Sequence, residues 1–167
     1  MVGYDGMLGA AAVIDGRVSI NRAIVQLAGT CRCCDANSLR QVLDQCGTLS
    51  ALIAKHEQVL LAHAQQSAAC NATHDLESRL ARWLLRARDL AGSDELDLTQ
   101  EYMAEMLGVR RTSVTLTAHS LQQAGPLKYS RGHIRILNVD ALRELACECY
   151  EVVKLHYDAL ASVLPNE

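Results

Sequence analysis

The spacing of apolar and polar positions divides this chain into unlike stretches. Up to residue 37 the apolar runs are short and broken by turn residues: AAAVI at 10–14, a turn at Asp15-Gly16, RAIVQL at 22–27, Gly29, and TCRCC at 30–34. Such runs predict about four short strands, too few to close a barrel by themselves. From Ser38 the pattern turns helical, first in SLRQVLDQ, which stops near Gly47. Over 48–70 comes the longest helical pattern. Leu49, Leu52, His56, Val59, His63, Gln66 and Cys70 recur at alternating spacings of three and four, the period of a coiled-coil seam. Ile53, Leu60, Ala64 and Ser67 form a second stripe beside it. A helix with two such stripes can pack on its own domain with one and on a partner chain with the other.

After a break at Asn71 to His74, a helix from about Asp75 to Ala91 gathers Leu76, Leu80, Trp83, Leu84 and Ala87 on one face, and Gly92 ends it. Thr99 can cap a further helix whose Met103 and Leu107 face inward, and Gly108 permits a sharp turn. The helix that follows, about 110–124, has Val114, Ala118 and Leu121 as its core stripe. At about 100° per residue, Arg111, Thr112, Thr115, Leu116 and His119 fall on a different face. Gly125-Pro126 stops it. LKYSRGHIRIL then predicts a hairpin turning at Arg131-Gly132, with Lys128, Arg131 and Arg135 on it. Helix, turn, helix and hairpin are the layout of a winged helix-turn-helix.

Charge sharpens this picture. The 167 residues carry a formal net charge of −3, which by itself points to no nucleic-acid partner. Residues 99–137, however, hold five bases (Arg110, Arg111, Lys128, Arg131, Arg135) against Glu101 and Glu105, whereas 138–167 are acidic. A basic patch acts within a Debye length, about 8–10 Å, so an acidic protein can still bind phosphate with it. No apolar run has the length of a membrane span and no signal-peptide pattern opens the chain, so a cytoplasmic location is expected. The odd number of cysteines, seven, argues against a disulfide framework and for free thiols.

The runs THDLESRLARWLLRARDLAG, LTQEYMAEMLGVRRTSVTLTAHSLQQAG and KYSRGHIRIL, followed by NVDALRELACECY, resemble in order the C-terminal part of the Crp/Fnr family of bacterial transcription regulators. The resemblance spans roughly residues 39–160. It implies an α+β, mainly α chain in three parts: a partial cyclic-nucleotide-binding-like β-roll over 1–47, a dimerisation helix over 48–72, and a winged helix-turn-helix domain with a C-terminal helix over 73–167. It also implies double-stranded DNA as partner, a homodimer, and RNA polymerase as a candidate partner. Arg111 sits where the family's recognition helix carries an arginine that reads guanine, and a guanidinium fork matches guanine O6 and N7. Ser113 and Thr115 can reach phosphate, Leu116 can meet a thymine methyl, and Arg110, Thr112 and His119 complete that helix's share of the DNA-binding set. Lys128, Arg131 and Arg135 supply the wing's share. Thr112 and Leu116 stand where well-known members carry an acid and a second arginine, so their target sequence does not transfer.

Other chemistry finds less support in the sequence. In the region matching the nucleotide cassette, DGMLG and Asn21-Arg22-Ala23 place the arginine one position off, which in a strand turns it to the other face. Tight binding of cyclic AMP is therefore not expected, and no effector is identified. Cys147 and Cys149, taken as two apart on one helix, stand about 200° around it and would not share a metal. His56 and His63 lie two helical turns apart, roughly 10 Å, and read instead as polar residues fixing a dimer's register. No metal site, cofactor or catalytic constellation is expected. The reading is a DNA-binding transcription regulator that recognises an inverted repeat as a homodimer, and no enzyme. The alternative is an effector-sensing or protein-interaction module that does not bind DNA directly.

Overall fold

A computed structural model describes residues 1–4, 6–15, 19 and 21–162. The chain is mainly helical, with a small three-stranded sheet near its middle. The N-terminal part departs from the expected partial β-roll. Residues 10–14 open a short helix, α1 (Ala10–Asp15), and 21–35 run without regular structure. No strand forms before Glu95 among the described residues. The reason is physical: a strand needs a neighbour to satisfy its backbone, and a run of alanines without one is a strong helix former. Gly16 of the expected turn and Asp5 of DGMLG lie outside the described residues.

Helix α2 (Ala36–Gln45) starts at Asp35, whose carboxylate accepts from the Ser38 amide at 2.8 Å. Helix α3 (Gly47–Thr73) is a single 27-residue rod that covers the whole seam pattern. Its seam is filled by the chain's own last helix, α8 (Cys149–Ala161). Val59 packs with Val153, Tyr157 and Leu160, and Leu52 lies against them half-buried. His63 Nδ1 meets the Tyr157 hydroxyl at 3.3 Å, and Gln66 donates to Cys149 Sγ at 3.0 Å. The two helices therefore run antiparallel. The histidines expected to set a dimer's register are partnered within the chain instead: His63 by Tyr157, and His56 Nε2 by the Met7 amide at 3.3 Å. A seam period specifies an apolar stripe and not whose helix covers it, and α8 presents a matching stripe of Val153, Tyr157 and Leu160.

The core lies behind the winged unit. Asp75 caps α4 (Leu76–Ala91), and Gly92 closes it in the left-handed region at φ 62°. Residues 79–87 of α4 are buried on every face, because α6, α7, α8 and β1 all pack on it. Leu80, Leu84 and Leu85 meet Met103 and Leu107 of α5 (Gln100–Leu107) and Val114 and Leu121 of α6 (Arg111–Ala124). Strands β1 (Glu95–Asp97), β2 (Leu127–Ser130) and β3 (His133–Ile136) form an antiparallel sheet in the order β1-β3-β2. Leu96, Leu127, Ile134 and Ile136 turn inward, and Leu142 of α7 (Val139–Leu145) closes the same core.

Candidate nucleic-acid interface

Local chemistry sets the two helices of the turn at their angle. Thr99 Oγ1 accepts from the Tyr102 amide at 3.2 Å and starts α5. Gly108 ends it at φ 65°, a left-handed conformation that an L side chain resists. Arg79, buried on α4, donates through Nη2 to the Leu107 carbonyl at 2.6 Å, so the last turn of α5 is held from beneath. Helix α6 then begins after Arg110, which provides no side-chain cap, leaving the first amides of α6 without one. Val114, Ala118 and Leu121 bury its inner stripe, and Gly125 at φ 96° followed by the buried Pro126 ends it.

The outer stripe of α6 is open. Arg110, Arg111, Thr112, Thr115, Leu116 and His119 are all exposed, Leu116 by 72%, while Ser113 is half-buried. A large aliphatic side chain left this bare on a helix with a well-filled core stripe has no packing role. Among the described residues Arg111 pairs with Glu101 at 3.6 Å, with both side chains mostly in water, a pair worth little and easily exchanged. Thr115 donates to Gln100 at 2.7 Å, and His119 meets Gln123 at 3.1 Å.

The wing stands beside this stripe. Its two-residue turn places both Arg131 (φ 47°) and Gly132 (φ 90°) in the left-handed region, the geometry that matches the twist of a tight hairpin. Lys128 lies directly across from Arg135 in the β2–β3 register, and Arg135 pairs with Glu95 of β1 at 3.6 Å. Like charges opposite each other weaken a sheet, so this pair is a stability cost within the hairpin. Among the described residues, Arg110, Lys128 and Arg131 form no ion pair. The wing is anchored to α6 by Gln122 Oε1, which accepts from the Tyr129 amide at 2.8 Å. Sequence reasoning missed Arg79, Gln100 and Gln122 as supports. None left a distinct signal, because α4 carries Arg82, Arg86 and Arg88 as well as Arg79.

Known proteins share this layout. Residues 78–145 match the family model of the Crp-like helix-turn-helix domain. That stretch of the chain is a Crp-like helix-turn-helix domain. No curated protein matches the chain. Among solved structures, a transcriptional regulator of the CRP/FNR family from Thermus thermophilus is similar at 29% identity and a TM-score of 0.52, over 56% of this chain and 51% of that one. A Crp/Fnr family protein from Eubacterium rectale is similar at 24% identity and 0.52, over 66% and 51%. A second Thermus thermophilus regulator, of the CRP family, gives 23% and 0.51, over 56% and 51%. The last two likenesses concern the fold alone. The chain thus spans about half the length of the regulators it matches. No helix among the described residues is long and apolar enough to cross a membrane.

Proposed function

We propose that the chain is a DNA-binding transcription regulator that lays α6 in the major groove and reads an inverted repeat as a homodimer. The observation that carries this is the open outer stripe of α6 beside a basic wing, on a Crp-like helix-turn-helix domain. Arg111 is the base-reading residue, and Leu116 meets a thymine methyl. Arg110, Ser113, Thr115 and the uncapped amides opening α6 face phosphate, and Lys128, Arg131 and Arg135 hold the flanking backbone. Thr112 and His119 border the base contacts.

The dimer needs a surface other than the α3 seam, which α8 fills. The opposite side of α3 offers Ala54, Leu61, Ala64 and Ala68, all exposed, with Leu61 at 59%. Leu61 follows Ala54, and Ala68 follows Leu61, at seven-residue intervals that suit a two-fold helix pair. Small side chains there permit close approach. The two recognition helices would then meet half-sites about 34 Å apart.

Selection of sites from random duplex DNA tests the reading. The wild type should yield an inverted repeat with half-sites about one helical turn apart, and Arg111→Ala should relax one base pair per half-site at a cost of about 1–3 kcal/mol. Failure to enrich any repeat, or an unchanged selected sequence with Arg111→Ala, would leave α6 an ordinary surface helix.

A further inference from the structure

Away from the winged face, three cysteines and a histidine converge. Cys70 lies near the end of α3, His74 is the residue on which α3 closes, Cys147 lies in the connector between α7 and α8, and Cys149 opens α8. One ligand atom from each lies within 4.8 Å of the ligand atoms of all the others. Cys70 Sγ and Cys147 Sγ are 3.5 Å apart, and Cys149 Sγ is 3.5 Å from His74 Nδ1. The three thiols are buried, with Cys70 at 0% and Cys149 at 1% exposure. This corrects the expectation that Cys147 and Cys149 cannot share a metal, which placed both on one helix. In the fold, Ala146 ends α7 in an extended conformation (φ −75°, ψ 150°) and α8 begins only after Glu148, so Cys147 lies outside helical geometry. The turn closed by the Tyr150 amide on the Cys147 carbonyl, at 3.1 Å, folds the two thiols to the same side.

We propose that Cys70, His74, Cys147 and Cys149 form a four-coordinate site for one zinc ion. Three soft thiolates and an imidazole are the donor set of closed, structural zinc sites. With Zn–S near 2.3 Å, the edge of a tetrahedron is about 3.8 Å, close to the spacings found here. A four-iron cluster, several atoms across, would need the ligands spread further. The surroundings fit as well. His74 Nε2 meets the Glu148 carboxylate at 3.2 Å, which leaves Nδ1 directed at the thiols, as carboxylate–histidine–metal arrangements require. Gln66 donates to Cys149 Sγ at 3.0 Å, an outer hydrogen bond that fixes the direction of that sulfur. The site spans the α3–α4 junction and the α7–α8 connector, so the ion would pin the long helix and the C-terminal helix to the winged unit at one point.

The test uses the full chain and zinc itself, and it is independent of DNA binding. Protein purified without chelator and analysed by elemental mass spectrometry should carry about one zinc per chain. Cobalt in its place should give the visible bands of a tetrahedral ion with thiolate charge transfer. Cys149→Ser should lower zinc affinity at least tenfold, whereas Cys31→Ser and Cys33→Ser should leave it unchanged. His74→Ala should weaken binding and His74→Cys retain it, a contrast that mere misfolding would not produce. Zinc should also raise the thermal midpoint of the metal-stripped wild type. The proposal is overturned if reconstituted protein holds well below one zinc, or if iron with sulfide is found instead. It is equally overturned if Cys70 and Cys147 prove to be oxidised to each other under reducing isolation, or if the Cys31 or Cys33 variants are the ones that lose metal.

Discussion

Val59→Ala asks whether α8 or a second chain fills the α3 seam. Val59 is 8% exposed and touches Val153, Tyr157 and Leu160 of the same chain. Truncation removes two methyl groups, worth about 0.8 kcal/mol each by transfer, or roughly 1.6 kcal/mol before any cavity term. With a urea slope of about 2 kcal/mol/M, the unfolding midpoint should drop by roughly 0.8 M. Since the contacts are intrachain, that drop should be the same at micromolar and at hundredfold higher protein concentration. Leu61→Ala provides the contrast. Leu61 is exposed by 59%, so its loss should matter only where the chain dimerises, at the upper end of the concentration range. The assay is urea unfolding followed by circular dichroism for the three proteins across that range. A Val59→Ala deficit that vanishes on dilution, with no effect of Leu61→Ala at any concentration, would place a partner's helix in the seam and detach α8 from it.

Two further outcomes follow from particular residues. Arg131 holds φ 47° at the wing tip, a conformation costing an L side chain about 1–2 kcal/mol that asparagine tolerates better. Arg131→Asn should therefore leave the thermal midpoint unchanged or raised while flattening the salt dependence of duplex binding by about one unit; a lowered midpoint would show that the arginine side chain supports the hairpin. His63, held below its ordinary range by burial and by the amino terminus, Arg86 and Arg82, titrates at about 3 in the fold against 6.5 when free. The unfolded chain then binds the extra proton between those values, so His63 should make stability fall by about 1.4 kcal/mol per pH unit below 6.5. Urea unfolding at pH 7 and 5 should show wild type losing about 2 kcal/mol more than His63→Gln, and equal losses would refute the assignment.

What could be read from the sequence, and what could not, divides along the range of the forces involved. Thr99, Gly108, Gly125-Pro126 and Arg131-Gly132 announce the helix-turn-helix and its wing because caps and turns are satisfied by atoms a few residues away. The outer face of α6 is legible for the same reason, since one helix's period separates Val114, Ala118 and Leu121 from Arg111, Thr115 and Leu116. The expected N-terminal strands do not form because a strand is stable only with a neighbour, and AAAVI without one becomes a helix. The seam of α3 is legible as a stripe, but a stripe does not name what covers it. The cysteines show the limit most plainly. Helical arithmetic on Cys147 and Cys149 assumes unbroken helix through ACEC, where no glycine or proline marks a stop. What ends α7 there is tertiary: Leu142 is fixed in the core, α8 must turn back along α3, and the chain can reverse only by extending at Ala146. That reversal, forced by packing far from the sequence neighbourhood of the thiols, is what carries Cys147 and Cys149 to Cys70 and His74.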